Sequence, residues 1–510
     1  MKIKNKTFIS LLVVLLIVAV TSLYFLVRRT PEGTLKNNRS FYNIDAYLNS
    51  DKKTISAKEI VKLRNNYNSP LKALVFHLYA DSYNSAETEA SSGSTRGPLT
   101  EEEKGDINIT SVKVNNIKKS YSDEKQILKI SLDKPLKPGE IAEVQVDFSV
   151  KLPMDKLAFG YYSDQYSIVN WYPILSMYDE KAQSWDENVF YPIGESNYSD
   201  CADYKIELNV PKGMVVAATG IETAKKEDDK RNKLTFEAEK VRDFAFFASK
   251  EYKIVSKVVE GIKVNSYYFD EDSSAKRMLD LACKSIEFYN KTFGKYPYNQ
   301  YNIVETYYNN GAMEYPCIAQ MSRYQKLSED YANDLLTYFD LDVVHETGHQ
   351  WFYSAVGNDE FKEPVLDESF TSYVTALFYE NTFGKYGALA VKASFLKTPI
   401  HDSDPIVRAV NKYSSNSEYV KLIYYHAPVV LEDFRQRVGS EKLIEVFKDY
   451  YEKYKFKNAT FEGFLEVVKA HCGSENSDFL KKSLTSGDYS MDRLILSQDE
   501  LSKIPRSYVY

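Results

Sequence analysis

His345 and His349 stand four residues apart with Glu346 beside the first, and Glu368 follows the second after eighteen intervening residues. Two imidazoles at that spacing share one face of a helix and can reach one metal ion. Glu346 is then placed to take a proton from a water that the metal activates. Glu368, from the next element, supplies the third ligand. The set is His and Glu, which suits zinc with one coordination position left open, one ion per chain. A five-residue match of this kind also arises by chance on solvated helices. Here a carboxylate follows inside a fresh helical pattern, Glu363-Pro364-Val365-Leu366-Asp367-Glu368-Ser369, and only six histidines occur in 510 residues.

The elements that must hold these residues belong to a chain of more than one domain. At 58.7 kDa it exceeds what one hydrophobic core usually serves. Apolar residues make up 44% and charged residues 27%, an ordinary globular balance. The net charge of -7 and the lack of basic tracts or paired Cys/His spacing argue against nucleic acid as a partner. Cys201, Cys283, Cys317 and Cys472 are scattered and read as buried thiols.

The N-terminus is different in kind. Lys2, Lys4 and Lys6 precede an apolar run from Phe8 to Val27, closed by Arg28 and Arg29. Twenty helical residues rise about 30 Å, enough to cross a bilayer. The run is long for a cleavable signal and lacks a small-residue cleavage site. It therefore reads as a transmembrane signal-anchor over 8–27, in contact with lipid, after a cytoplasmic tail over 1–7. Everything beyond Arg29 is then extracytoplasmic. Secretion after signal cleavage is the competing reading.

Residues 28–45 read as a linker. Over 46–255 the pattern is strand-like: Ile127–Leu132 and Ala142–Phe148 alternate apolar and polar residues, and Pro138-Gly139 marks a turn. Ala86–Asp106 is a polar loop. After Asp270 the period becomes helical. A helix is predicted over Ser274–Phe293, another over Asp334–Val356 for the two histidines, and a third from Glu363-Pro364 to about Thr382, before Gly384. Helices are also predicted over Val420–Val438, Glu441–Tyr454 and Phe461–His471. The layout is a β-sheet domain (46–255), a catalytic domain (256–440) and a short helical C-terminal tail (441–510).

His345-Glu346-Thr347-Gly348-His349-Gln350-Trp351-Phe352 with Glu368 resembles the box of the aminopeptidase N-type zinc peptidases, a branch of the gluzincins. Gly311-Ala312-Met313-Glu314-Tyr315 resembles their exopeptidase signature Gly-x-Met-Glu-Asn, with Tyr315 in place of the asparagine. Trp171-Tyr172-Pro173, Gly194-Glu195-Ser196-Asn197-Tyr198 and Val356-Gly357-Asn358-Asp359 are similar to a short bacterial branch of the family. The resemblance covers about Lys62 to Phe464. It implies an α+β chain: a β-rich, saddle-like domain, then a thermolysin-like, mostly helical catalytic domain, without the long C-terminal helical domain of larger members.

The same resemblance implies roles. Glu346 is the general base. Glu314 holds the free α-amino group of a peptide, and Gly311 permits close approach of the backbone. A tyrosine that assists the oxyanion falls at Tyr424, with Tyr425 the rival, because Tyr424-Tyr425-His426-Ala427-Pro428 departs from the family's stretch. The family also uses a Gln or Glu of the β domain against the amine. Glu195 lies in a conspicuous motif, but its register assigns it no such role. Asp367 either orients a ligand histidine or is an exposed acid at a helix start. Trp351 and Phe352 pack the core. The expected activity is an outward-facing, membrane-anchored zinc aminopeptidase acting on peptides with a free N-terminus. The alternatives are a zinc endopeptidase or processing protease, and a non-catalytic binding ectodomain.

Overall fold

The computed structural model describes residues 35, 38–89, 97–326, 338–395, 405–487 and 489. The apolar run Phe8–Val27, read as a membrane span, lies outside them. No helix among the described residues is long and apolar enough to cross a membrane.

Alternation builds the first domain. Strand β1 is Phe41–Asn49 and β2 is Thr54–Arg64. They pair with β3 (Asp106–Val114), β4 (Ile141–Lys151), β5 (Ala202–Pro211) and β6 (Arg231–Val241) in the order β6-β5-β1-β2-β4-β3. In β4, Ala142, Val144, Val146, Phe148 and Val150 all turn inward, the period of two that its sequence predicts. Smaller sheets close the core around Trp171, whose indole N–H donates to the Phe244 carbonyl at 3.1 Å. The expected linker over 28–45 is corrected at its C-terminal end, residues 41–45. Strand β1 begins at Phe41 and pairs in parallel with β5 and antiparallel with β2, with Tyr42 and Ile44 buried.

A second sheet belongs to the catalytic part. It comprises β7 (Lys253–Val259), β8 (Ile262–Tyr268), β9 (Gln300–Glu305), β10 (Ala312–Tyr315) and β11 (Ile318–Met321) in the order β7-β8-β9-β11-β10. The crossover from β8 to the parallel strand β9 is helix α1, Asp272–Thr292. Val304, Tyr315 and Ile318 of this sheet join the core of the β domain.

Helix α2 is Tyr338–Gly348 and α3 is Glu368–Phe395. Three expectations about helices change. The histidine helix stops at Gly348 and gives way to a wide turn over Gln350–Ala355, where Tyr353 leaves helical geometry. Val356-Gly357 then pairs as a strand with Lys457-Asn458, so the chain cannot stay helical to Val356. Helix α3 continues past Thr382, across a break at Gly384, where φ is 65°. The helix expected over Val420–Val438 forms and begins earlier, at Asn416, but its turns widen over Lys421–His426 before α4 (Ala427–Val438). Pro428 sits in the first turn of α4, where a missing N–H is tolerated.

The C-terminal tail is corrected too. Helices α5 (Ser440–Tyr454), α6 (Phe461–Cys472) and α7 (Ser474–Thr485) are not a separate appendage. Leu443, Phe447, Phe464 and Leu480 share one core with Phe352 and Phe370, beside the metal-binding residues. The ring of Phe447 meets that of Phe370 edge-on at 5.2 Å.

Candidate active site

Helix α2 carries His345, His349 follows its last residue one turn on with helical geometry kept, and the first residue of α3 is Glu368. Helix α2 lies close against α3 because residue 348 is glycine: a Cβ there would come within 3.0 Å of the Thr371 methyl. The three donor atoms form a small triangle. His345 Nε2 and His349 Nε2 are 3.0 Å apart, and Glu368 Oε2 lies 3.1 Å and 3.4 Å from them. Ligands on a tetrahedral zinc at about 2.0–2.1 Å are separated by roughly 3.3 Å. The donor set and its spacing fit zinc.

The neighbours fix these ligands. Asp367 Oδ1 lies 2.7 Å from His349 Nδ1, which leaves Nε2 to face the metal. Asp367 is fully buried, so it orients a ligand histidine and is not an exposed acid at a helix start. The Tyr424 hydroxyl donates to Glu368 Oε1, and its ring stacks on His345 at 6.0 Å. The structure thus separates the two tyrosines: Tyr424 reaches the ligand triangle, placed there by the Lys421–His426 turn.

Glu346 follows His345 on α2, is buried, and has its Oε2 without a partner among the described residues. Burial, then the charge of Glu368, pushes its carboxyl well above the usual range, against the pull of His349.

Glu314 arrives on β10, the edge strand of the catalytic sheet. Its Oε1 is 3.9 Å from His349 Nδ1 and has no hydrogen-bond partner among the described residues. Gln350, directly after the second histidine, fixes this strand. Its side chain donates to the Tyr315 carbonyl at 3.0 Å and accepts from the Cys317 N–H at 2.9 Å. Sequence reasoning missed this role for Gln350. The only local signal was its place beside the box.

Glu195 is the residue left unassigned from sequence. It lies with Glu314 and Glu368 such that one oxygen of each falls within 4.8 Å of the others. Gly194 before it adopts φ 65°, and a Cβ there would strike the Tyr419 ring at 2.7 Å, so the turn that delivers Glu195 requires glycine. Behind it, Glu360 accepts from the Asn197 N–H at 2.8 Å. Burial raises both carboxyls well above their usual range, helped at Glu195 by the charges of Glu368 and Asp367 and at Glu314 by that of Glu195. A buried acid pair of this kind favours a cationic guest.

Arg242 ties the two domains together at the back of the site. Its guanidinium donates to the Tyr353 carbonyl at 2.7 Å, to the Ser199 carbonyl at 2.9 Å, and to Asn458 Oδ1 and the Lys457 carbonyl at 2.6 Å. Trp351 and Phe352 are wholly buried in the core, as expected.

Comparison with known proteins agrees with this geometry. Residues 277–483 match the peptidase family M1 domain. Aminopeptidase M1-B of Oryza sativa subsp. japonica is 25% identical over 240 residues, covering 44% of this chain and 27% of the relative. Probable aminopeptidase 2 of Sulfurisphaera tokodaii is 23% identical over 301 residues, covering 56% of this chain and 38% of the relative. The matched segments thus span well under half of these relatives' lengths. The M1 zinc metallopeptidase from Deinococcus radiodurans superposes with a TM-score of 0.63 at 16% identity, covering 89% of this chain and 96% of that one. It shares the two-domain fold.

Proposed function

We propose that this chain, a member of the M1 peptidase family through residues 277–483, is a zinc aminopeptidase that removes residues from the N-terminus of peptides. The observation that carries this reading is the pairing of Glu195 with Glu314 beside the ligand triangle. A peptide's free α-ammonium fits between the two carboxylates, and one residue length then brings its first carbonyl to the triangle. An endopeptidase has no use for an anion that closes the cleft at this distance.

Zinc held by His345, His349 and Glu368 would polarise that carbonyl and acidify a water. The chain's own residues do the rest. Glu346, buried and raised, accepts the proton of the attacking water and passes it to the departing amine. Tyr424 turns its hydroxyl from Glu368 to the developing oxyanion. Asp367 holds the His349 ring in one tautomer throughout.

The enzyme is anchored by Phe8–Val27 with its catalytic part outside the cell. This part of the proposal rests on the apolar run and the lysines ahead of it. Fractionated cells should show the intact chain in membranes, released only by detergent. A soluble protein that begins between about residues 25 and 40 would instead indicate a cleaved signal.

The activity is tested with a peptide of about ten residues, its products followed by mass spectrometry. A ladder losing one residue at a time from the N-terminus is expected. Internal fragments without such a ladder would replace the aminopeptidase with an endopeptidase.

A further inference from the structure

Asp342 is a half-buried acid that the chemistry above leaves unused. It lies on α2, three residues before His345 and four before Glu346, so all three share one helix face. Its side chain is partly open, yet Oδ2 is buried with no hydrogen-bond partner among the described residues. The neighbouring cation is engaged elsewhere: Arg277 Nε donates to Asp340 Oδ1 at 2.8 Å. Burial pushes the Asp342 carboxyl up to about 8.

The direction of the substrate follows from the other end of the same helix. Glu314 lies against His349, toward the C-terminal end of α2, and Glu195 lies beside Glu314. Asp342 precedes His349 by seven residues, roughly 10 Å along the axis. A peptide held by its amine at Glu195 and Glu314 passes its first carbonyl over the triangle. Its second residue, the one that leaves, then runs toward the Asp342 end.

We propose that Asp342 is a specificity-determining residue that takes a lysine or arginine side chain at the second position of the substrate. An apolar or acidic guest leaves the Asp342 carboxyl without a partner and without its charge. A cation satisfies it with a charge-assisted hydrogen bond. The inference rests on the aminopeptidase reading, because the amine anchor sets the direction of the peptide.

The test uses the full chain with zinc and the tripeptides Ala-X-Ala, where X is Lys, Arg, Leu or Glu. Wild-type kcat/KM should be at least about tenfold higher for Lys and Arg than for Leu, as expected for a hydrogen bond to a charged group, and lowest for Glu. In Asp342→Asn the Lys-to-Leu ratio should fall to near one. Hydrolysis of all four peptides without that order overturns the Asp342 assignment and leaves the aminopeptidase intact. An Asp342→Asn enzyme that keeps the preference also overturns it. Failure to release alanine from any of them overturns the aminopeptidase reading itself, and the Asp342 assignment with it. Should Asp342→Asn not fold, the wild-type series alone decides.

Discussion

His349 and Asp367 meet at 2.7 Å, Nδ1 to Oδ1, across the gap between two helices, and the residue after Asp367 is itself the ligand Glu368. One short stretch of chain therefore supplies a ligand and also orients another. Asp367→Ala should weaken zinc binding by about 10- to 100-fold. Competition against a chelator of known affinity measures this. Affinity equal to wild type would show that the carboxylate does not orient the histidine.

Glu346→Gln should keep one zinc per chain and an unchanged fold, while kcat falls by at least about 10²–10⁴-fold. Metal analysis and steady-state kinetics on the same sample check both halves. Near-normal turnover would remove Glu346 as the base.

Tyr424→Phe should lower kcat by about 10²-fold or more, the scale of one lost oxyanion donor. Tyr425→Phe should change it little, because only Tyr424 bonds Glu368. Kinetics of the two variants side by side decide the matter. A larger loss in Tyr425→Phe would reverse the assignment.

The three helices beyond Ser440 should be indispensable to folding. Phe447→Ala, a fully buried ring packed on Phe370, should cost about 3–5 kcal/mol in urea unfolding. A chain ending before Ser440 should not fold. A stable, active truncated protein would show that these helices are an appendage after all.

How much of this was legible in the sequence depends on range. His345, Glu346, His349 and Glu368 were readable because helical spacing is local, and the inward residues of β4 because alternation is local. Glu195, Gln350 and the choice of Tyr424 were not. Glu195 meets Glu314 only after two domains pack, 119 residues apart in sequence. Gln350 acts through bonds to Tyr315 and Cys317, more than 30 positions away. Helices α5–α7 were recognised as helices, but an amphipathic pattern does not say which core receives its apolar face. The family likeness added roles, such as that of Glu314, that spacing alone could not give.

The central claim is that the buried carboxylates recognise a free α-amino group. The direct measurement is kcat/KM for an aminoacyl fluorogenic amide and its N-acetylated counterpart, in wild type and in Glu314→Ala. Wild type should prefer the free amine by about 10²-fold or more, since acetylation leaves two buried acids without their cation. Glu314→Ala should lose most of that preference through its effect on the free substrate. Equal rates on both substrates in wild type, or equal losses on both in the variant, would contradict the account.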